Sequence, residues 1–190
     1  MRVCLILFCS LGLIGCGDTA EPVRFTTPSG PAATVERISI PLATVAVREV
    51  TLPAYATEEG IAISDGTGAI TTDPDRLWAD DATRAVTLRL TNALADITGR
   101  QVASDPWPFR EDAEAVVDVR IERFVAEADG RFVAIGRYYV AHEDETRRDH
   151  AHGFEIVQPY APGGGFPAIA EARDRVIAWL AQDIARRGLR

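Results

Sequence analysis

Few residues in this sequence carry reactive chemistry, and most of them sit near its two ends. His150-x-His152 on a strand would point both imidazoles to one face, with His142, Asp149 and Glu155 close by. That is a spacing a divalent metal can use. An i, i+2 histidine pair in a polar stretch is ordinarily a solvated strand face, so no metal ligand is assigned to it. The spacings of common hydrolases are missing: there is no H-E-x-x-H, no G-x-S-x-G and no cysteine after Cys16. Gly163-Gly164-Gly165 lacks the Lys-Ser/Thr of a phosphate loop and reads as a joint before a helix. No catalytic residue is assigned and no cofactor is implied. A metal-dependent hydrolase built on the histidines is the enzymatic alternative.

The thiol of Cys16 has a sharper context. Met1-Arg2 supplies a positive start, residues 3–13 are almost uninterrupted apolar sequence, and small residues follow. This run is shorter than the roughly 20 residues that a membrane-spanning helix needs, and the pattern is that of an export signal. At its end, Leu13-Ile14-Gly15-Cys16 resembles the bacterial lipobox, in which a diacylglycerol is attached to the cysteine thiol before cleavage on its amino side. Gly15 leaves the scissile bond open, and only a thiol can form the thioether. The expectation is a signal peptide over 1–15, a lipidated tether over 16–34 and one domain over 35–190. Gly17 follows the lipidated residue and Asp18 comes one later. An aspartate directly after the cysteine resembles an inner-membrane retention signal, so the expected location is the outer membrane, facing the periplasm.

Composition bounds the remainder. The 190 residues carry 28 acidic and 20 basic side chains, for a net charge of −8, and every basic residue is arginine. So acidic a chain is poorly suited to nucleic acid, which is gripped by clustered cationic side chains. Cys4, Cys9 and Cys16 all lie in the leader region, so the body can hold neither a disulfide framework nor a cysteine-ligated zinc.

The elements that must position any site follow from periodicity. Residues 17–34 are rich in Gly, Pro, Ser and Thr, as a tether should be, although Val23-Arg24-Phe25 has the character of a short strand. Ile38, Ile40, Val45, Val47 and Thr51 recur with a two-residue period, interrupted by Pro41. This apolar edge from Ile38 to Val50, if exposed, would suit self-association; a monomer fits the composition equally. Two short strands flank the turn Asp65-Gly66-Thr67-Gly68. Ala82, Val86, Leu90, Ala93, Leu94 and Ile97 predict a helix, with Asp80 and Asp81 at its positive end and Gly99 to stop it.

Residues 115–126 and 132–140 then alternate as two longer strands joined across Asp129-Gly130, and 152–157 form another. Ile169, Ala172, Val176, Ile177, Leu180 and Ile184 predict a terminal helix, with Trp179 spaced to join its buried face. Trp78 and Trp107 read as core anchors, with a lipid-facing groove as the sharper alternative. The acidic runs Glu58-Glu59 and Glu143-Asp144-Glu145 read as solvated turns that would meet a basic partner if they meet one at all. The order β-β-β-α-β-β-β-β-α predicts an α+β fold, a single mostly antiparallel sheet with two helices packed on one face.

Several segments taken together resemble the ABC-type transport auxiliary lipoproteins, the family that includes paraquat-inducible protein C. Val50-Thr51-Leu52-Pro53-Ala54-Tyr55 is similar to its V-x-L-P-x-Y. Arg76-Leu77-Trp78-Ala79-Asp80-Asp81 resembles its R-W-A-E-P, with Asp81 where proline is usual. Trp107-Pro108 precedes a strand like its V-x-V-x-x-F, and residues 172–185 are similar to its terminal helix. The resemblance spans residues 23–187. It implies an accessory subunit of an intermembrane lipid transport system, docking or capping the conduit while acyl chains hold it to the membrane; a structural envelope lipoprotein without a transporter partner is the alternative. The partners implied are an MCE-domain protein and an ABC permease and ATPase, and Tyr55 and Trp78 are the candidate interface residues.

Overall fold

The longest alternating stretch in the sequence forms the centre of the sheet. The structure, a computed structural model, describes residues 21–26 and 37–190. The export signal, the lipobox residues Leu13, Ile14, Gly15 and Cys16, and most of the expected tether lie outside the described residues. Strand β6 (Ala115–Glu127) pairs antiparallel with β7 (Arg131–His142), and β7 pairs antiparallel with β8 (His150–Pro159). Gly130, at φ 92°, makes the tight turn between β6 and β7 that a side chain would strain. Before a bulge at Ile121/Arg123, Val117, Val119 and Ile121 are buried and Arg120 is exposed, as the alternation requires. After it, Phe124, Val125 and Ala126 are all buried. Gly136 of β7 faces this bulge, where a Cβ would sit 2.3 Å from the Arg120 carbonyl oxygen.

The other side of β6 is shared. Strand β2 (Thr44–Val47) runs parallel to its first residues, and β3 (Gly60–Ser64) runs parallel to its last. Strand β5 (Gln101–Ser104) extends β2 in parallel. On the other branch, β4 (Ile70–Trp78) pairs antiparallel with β3, and β1 (Val23–Phe25) pairs parallel with the end of β4. The single eight-stranded sheet is therefore mixed: long antiparallel ladders on one side of β6, and a fork of short, chiefly parallel ones on the other. Between the two prongs the chain makes one helical turn, α1 (Ala54–Thr57).

Two long helices cover one face, α2 (Ala82–Thr98) and α3 (Gly165–Asp183). Their buried stripes, among them Val86, Leu90 and Leu94 of α2 and Ile169, Val176 and Leu180 of α3, form one core with Val117, Val119, Tyr138 and Val140. The ends of α2 are where the sequence puts them. Asp81 Oδ1 accepts the Arg84 N–H at 2.7 Å, and Gly99, at φ 64°, closes the helix with its N–H on the Ala95 carbonyl. A 3₁₀ turn (Pro162–Gly164) leads into α3, which ends in a π-turn (Ile184–Gly188) lying against Tyr138 and Val140.

Several expectations are corrected. Four strands precede α2, because Val23–Phe25, inside the stretch read as tether, joins the sheet. The two-residue period over 38–42 belongs to no ladder. Ile38, Ile40 and Leu42 are buried there, with the Ile38 N–H on the Ile97 carbonyl at 2.7 Å and Arg100 on the Ile40 carbonyl at 2.9 Å. Nor is 38–50 an exposed apolar edge: β2 lies between β5 and β6, and Val45, Val47 and Val50 are fully buried. Trp179 leaves the core, its residue 52% exposed at the flank of the buried stripe of α3.

Candidate functional site: an arginine-floored crevice beneath the single-turn helix

The site forms where the fork in the sheet opens. From the end of β2 the chain follows β6, with the Thr51 N–H on the Val119 carbonyl and the Ile121 N–H on the Thr51 carbonyl. The Val50 N–H goes to Thr87 Oγ1 of α2 at 2.9 Å, so this connection is pinned to both layers. Pro53, at φ −65°, then starts α1, as suits a residue with no N–H to satisfy. The turn swings Tyr55 over the second half of β6. There its hydroxyl oxygen accepts the Phe124 N–H at 3.0 Å, at a position that neither β2 nor β3 pairs. Tyr55 thus substitutes for a missing strand.

Trp78 arrives from the opposite side, as the last residue of β4. Its N–H bonds the Glu59 carbonyl at 2.7 Å and its carbonyl accepts from Arg24 at 3.2 Å, so the half of the fork bearing β1, β3 and β4 fixes its backbone. The buried ring packs beneath α3, where the Arg173 guanidinium carbon lies 4.2 Å above its centroid and 5.7 Å from that of Phe124. Tyr55, Gly60, Trp78, Phe124 and Arg173 line one small open crevice. Its volume is ≈ 20 Å³, room for one or two water-sized groups and far too little for an acyl chain.

The electrostatics of the crevice are unusual. Arg173 is 4% exposed, and its single hydrogen bond among the described residues is a long one, 3.3 Å to the Ala82 carbonyl. Its Nε has no partner among the described residues. Burial pushes the guanidinium pKa down to about 10, partly offset by Asp174 and Asp80, so the group stays charged at neutral pH. Neither carboxylate pairs with it. Asp174 is held by Arg89 of α2, whose second contact is 3.1 Å, and Asp80 is held by Arg84. The crevice offers a desolvated cation with unused N–H capacity between aromatic walls.

The structure brings the two candidate interface residues, Tyr55 and Trp78, into this one crevice. The missed residue is Arg173. Its signal in the sequence was a charge at position 173 inside the apolar stripe of Ile169, Ala172, Val176 and Ile177. Trp107 lies elsewhere, half-buried, with its indole N–H on the Glu111 carbonyl at 2.7 Å and its ring edge-on to the exposed Phe109. The three histidines do gather at one end of β7 and β8, with His150 5.9 Å by centroid from both His142 and His152. They are half-buried, not a solvated face, and among the described residues His142 Nδ1 and His152 Nε2 have no hydrogen-bond partner. Among the described residues no group of three His, Cys, Asp or Glu side chains converges as a metal site would. Among the same residues, no helix is long and apolar enough to cross a membrane.

Solved structures resemble the chain at low sequence identity. A crystal structure described as an uncharacterized protein superposes with a TM-score of 0.71 at 17% identity, over 88% of this chain and 98% of its own. A Xanthomonas campestris protein of the DUF330 family gives 0.60 at 16% identity, over 87% and 90%. PelC of Paraburkholderia phytofirmans, crystallised as a dodecamer, gives 0.42 at 18%, over 81% and 95%. No curated protein matches the chain in sequence. The first two likenesses define the class, an α+β domain with two long helices on one face of a forked mixed sheet. The family profile of the ABC-type transport auxiliary lipoprotein component matches residues 25–185, and the chain belongs to that family.

Proposed function

We propose that this protein is a lipid-anchored accessory subunit of an intermembrane lipid transport system of the MCE/ABC type. It docks on or caps the conduit at the outer membrane and works by binding, not by catalysis. The observation that carries this reading is the family match over nearly the whole domain, joined to a lipobox ending at Cys16. The first described strand begins at Val23, which leaves six residues between an acylated Cys16 and the sheet. So short a linker would hold the domain close to the membrane surface. Two or three acyl chains suffice for stable attachment, each buried CH₂ contributing about 0.8 kcal/mol. The surface offered to an MCE-domain partner, and through it to a permease and ATPase, is the rim of the crevice around α1, with Tyr55 and Trp78 in its wall.

The anchor has a direct test. Cells expressing the wild-type chain should incorporate a clickable fatty-acid analogue into it, and it should sediment with outer-membrane vesicles. Cys16→Ser should abolish the label and release the chain into the periplasmic fraction. Persistent membrane association of an unlabelled Cys16→Ser protein would remove lipid anchoring from the account.

A further inference from the structure

A buried cation ordinarily has an anion. The cost of stripping water from a guanidinium is met in folded proteins by a carboxylate or by a full set of acceptors. Arg173 has one long bond to a carbonyl, an idle Nε and two ring faces beside it. The nearest acids are committed to Arg89 and Arg84. We infer that the crevice is a carboxylate subsite, in which Arg173 receives a single carboxylate whose apolar substituent lies outside, across Tyr55.

Three features select that chemistry. The space of ≈ 20 Å³ admits a carboxylate head but not an acyl chain, so an attached chain would lie outside, across the half-buried Tyr55. The walls are apolar and aromatic, which favours a carbon-bound anion over a fully hydrated one. Glu58 lies in sequence between the lining residues Ala56 and Gly60, and its charge opposes a phosphate dianion more than a monoanion, while Glu59 is paired with Arg24 at 3.2 Å. Such a carboxylate can come from a free fatty acid or from an acidic side chain of a docked protein, and the chemistry at Arg173 is the same. Only the biological source of the carboxylate rests on the transport reading. The subsite itself is tested with small molecules, so its failure leaves the partner experiment untouched.

The measurement is a titration of the chain carrying Cys16→Ser, which has no acyl group of its own to compete, followed by the arginine Nε–H resonances in ¹H–¹⁵N spectra. Sodium butyrate should move the Arg173 resonance saturably. Butyramide and inorganic phosphate should bind at least about tenfold more weakly, the difference expected for one charge-assisted hydrogen bond. The same titration read at the Trp78 indole N–H, which both variants retain, should lose its butyrate response in Arg173→Met and keep part of it in Arg173→Lys. Dodecanoate below its micelle concentration binding tenfold tighter than butyrate would identify a fatty acid as the source. N-acetyl-glutamate amide binding at least as well as butyrate would identify a protein side chain. No shift with butyrate, or equal shifts with butyrate and butyramide, overturns the subsite. So does an undiminished response in Arg173→Met, and the wild-type titration stands even if that variant does not fold.

Discussion

Arg89 and Arg173 are both arginines of the helical layer, and they end in opposite conditions. Arg89 of α2 meets Asp174 of α3 in a two-pronged ion pair across the helix seam, with both side chains partly open to water. One residue earlier on α3, Arg173 turns the other way, into the crevice, where it is almost wholly buried and meets aromatic rings and one carbonyl. The seam satisfies its charges internally; the crevice does not. A satisfied pair explains itself as structure. A buried cation short of acceptors among the described residues, in an open crevice, is where the proposed carboxylate would bind.

That contrast can be broken by removing each arginine in turn. Arg89→Met should cost about 1–2 kcal/mol, because it leaves the Asp174 carboxylate without its partner at a half-buried seam. Arg173→Met should be within about 1 kcal/mol of wild type or more stable, since an apolar side chain of similar length replaces a poorly paired buried charge. Urea unfolding of both variants checks this. An Arg173→Met loss larger than that of Arg89→Met would mean that Arg173 is chiefly structural.

A smaller effect separates both arginines from the histidine end of β7. Burial, with Arg147 and His150 nearby, holds the His142 pKa below its ordinary 6.5, against the opposing pull of Asp149 and Asp144. The folded chain binds this proton less readily than the unfolded chain. The stability it contributes is therefore complete above about 6.5 and declines as pH falls through that value. His142→Asn should flatten the stability profile between pH 7 and 5. An unchanged slope in that variant would assign the dependence to other groups.

How much of this was legible follows the range of the interactions. The caps of α2 and the β6–β7 hairpin are local, and Asp81, Gly99 and Asp129-Gly130 announce them. The fork is not, because short parallel ladders join segments far apart in sequence and leave no turn signal behind. Alternation at Ile38, Ile40 and Leu42 reports alternate burial truthfully, yet burial of every second residue does not require a paired strand. The helix α1 is a single turn, too short to leave a period. Tyr55 and Trp78 were found through family resemblance. Their meeting at Arg173 was hidden because an arginine in an apolar stripe looks like an interruption until the rings beside it are seen.

The central claim is that the rim of the crevice is the working face of a transporter subunit. A photo-crosslinking amino acid placed at Ala56, on the rim, and at Glu145, in the distant β7–β8 turn, tests it in intact cells. The account predicts an adduct from Ala56 with an MCE-domain protein, and none from Glu145. Saturating irradiation that yields no transporter adduct at Ala56, or the same adduct equally at both positions, would contradict it.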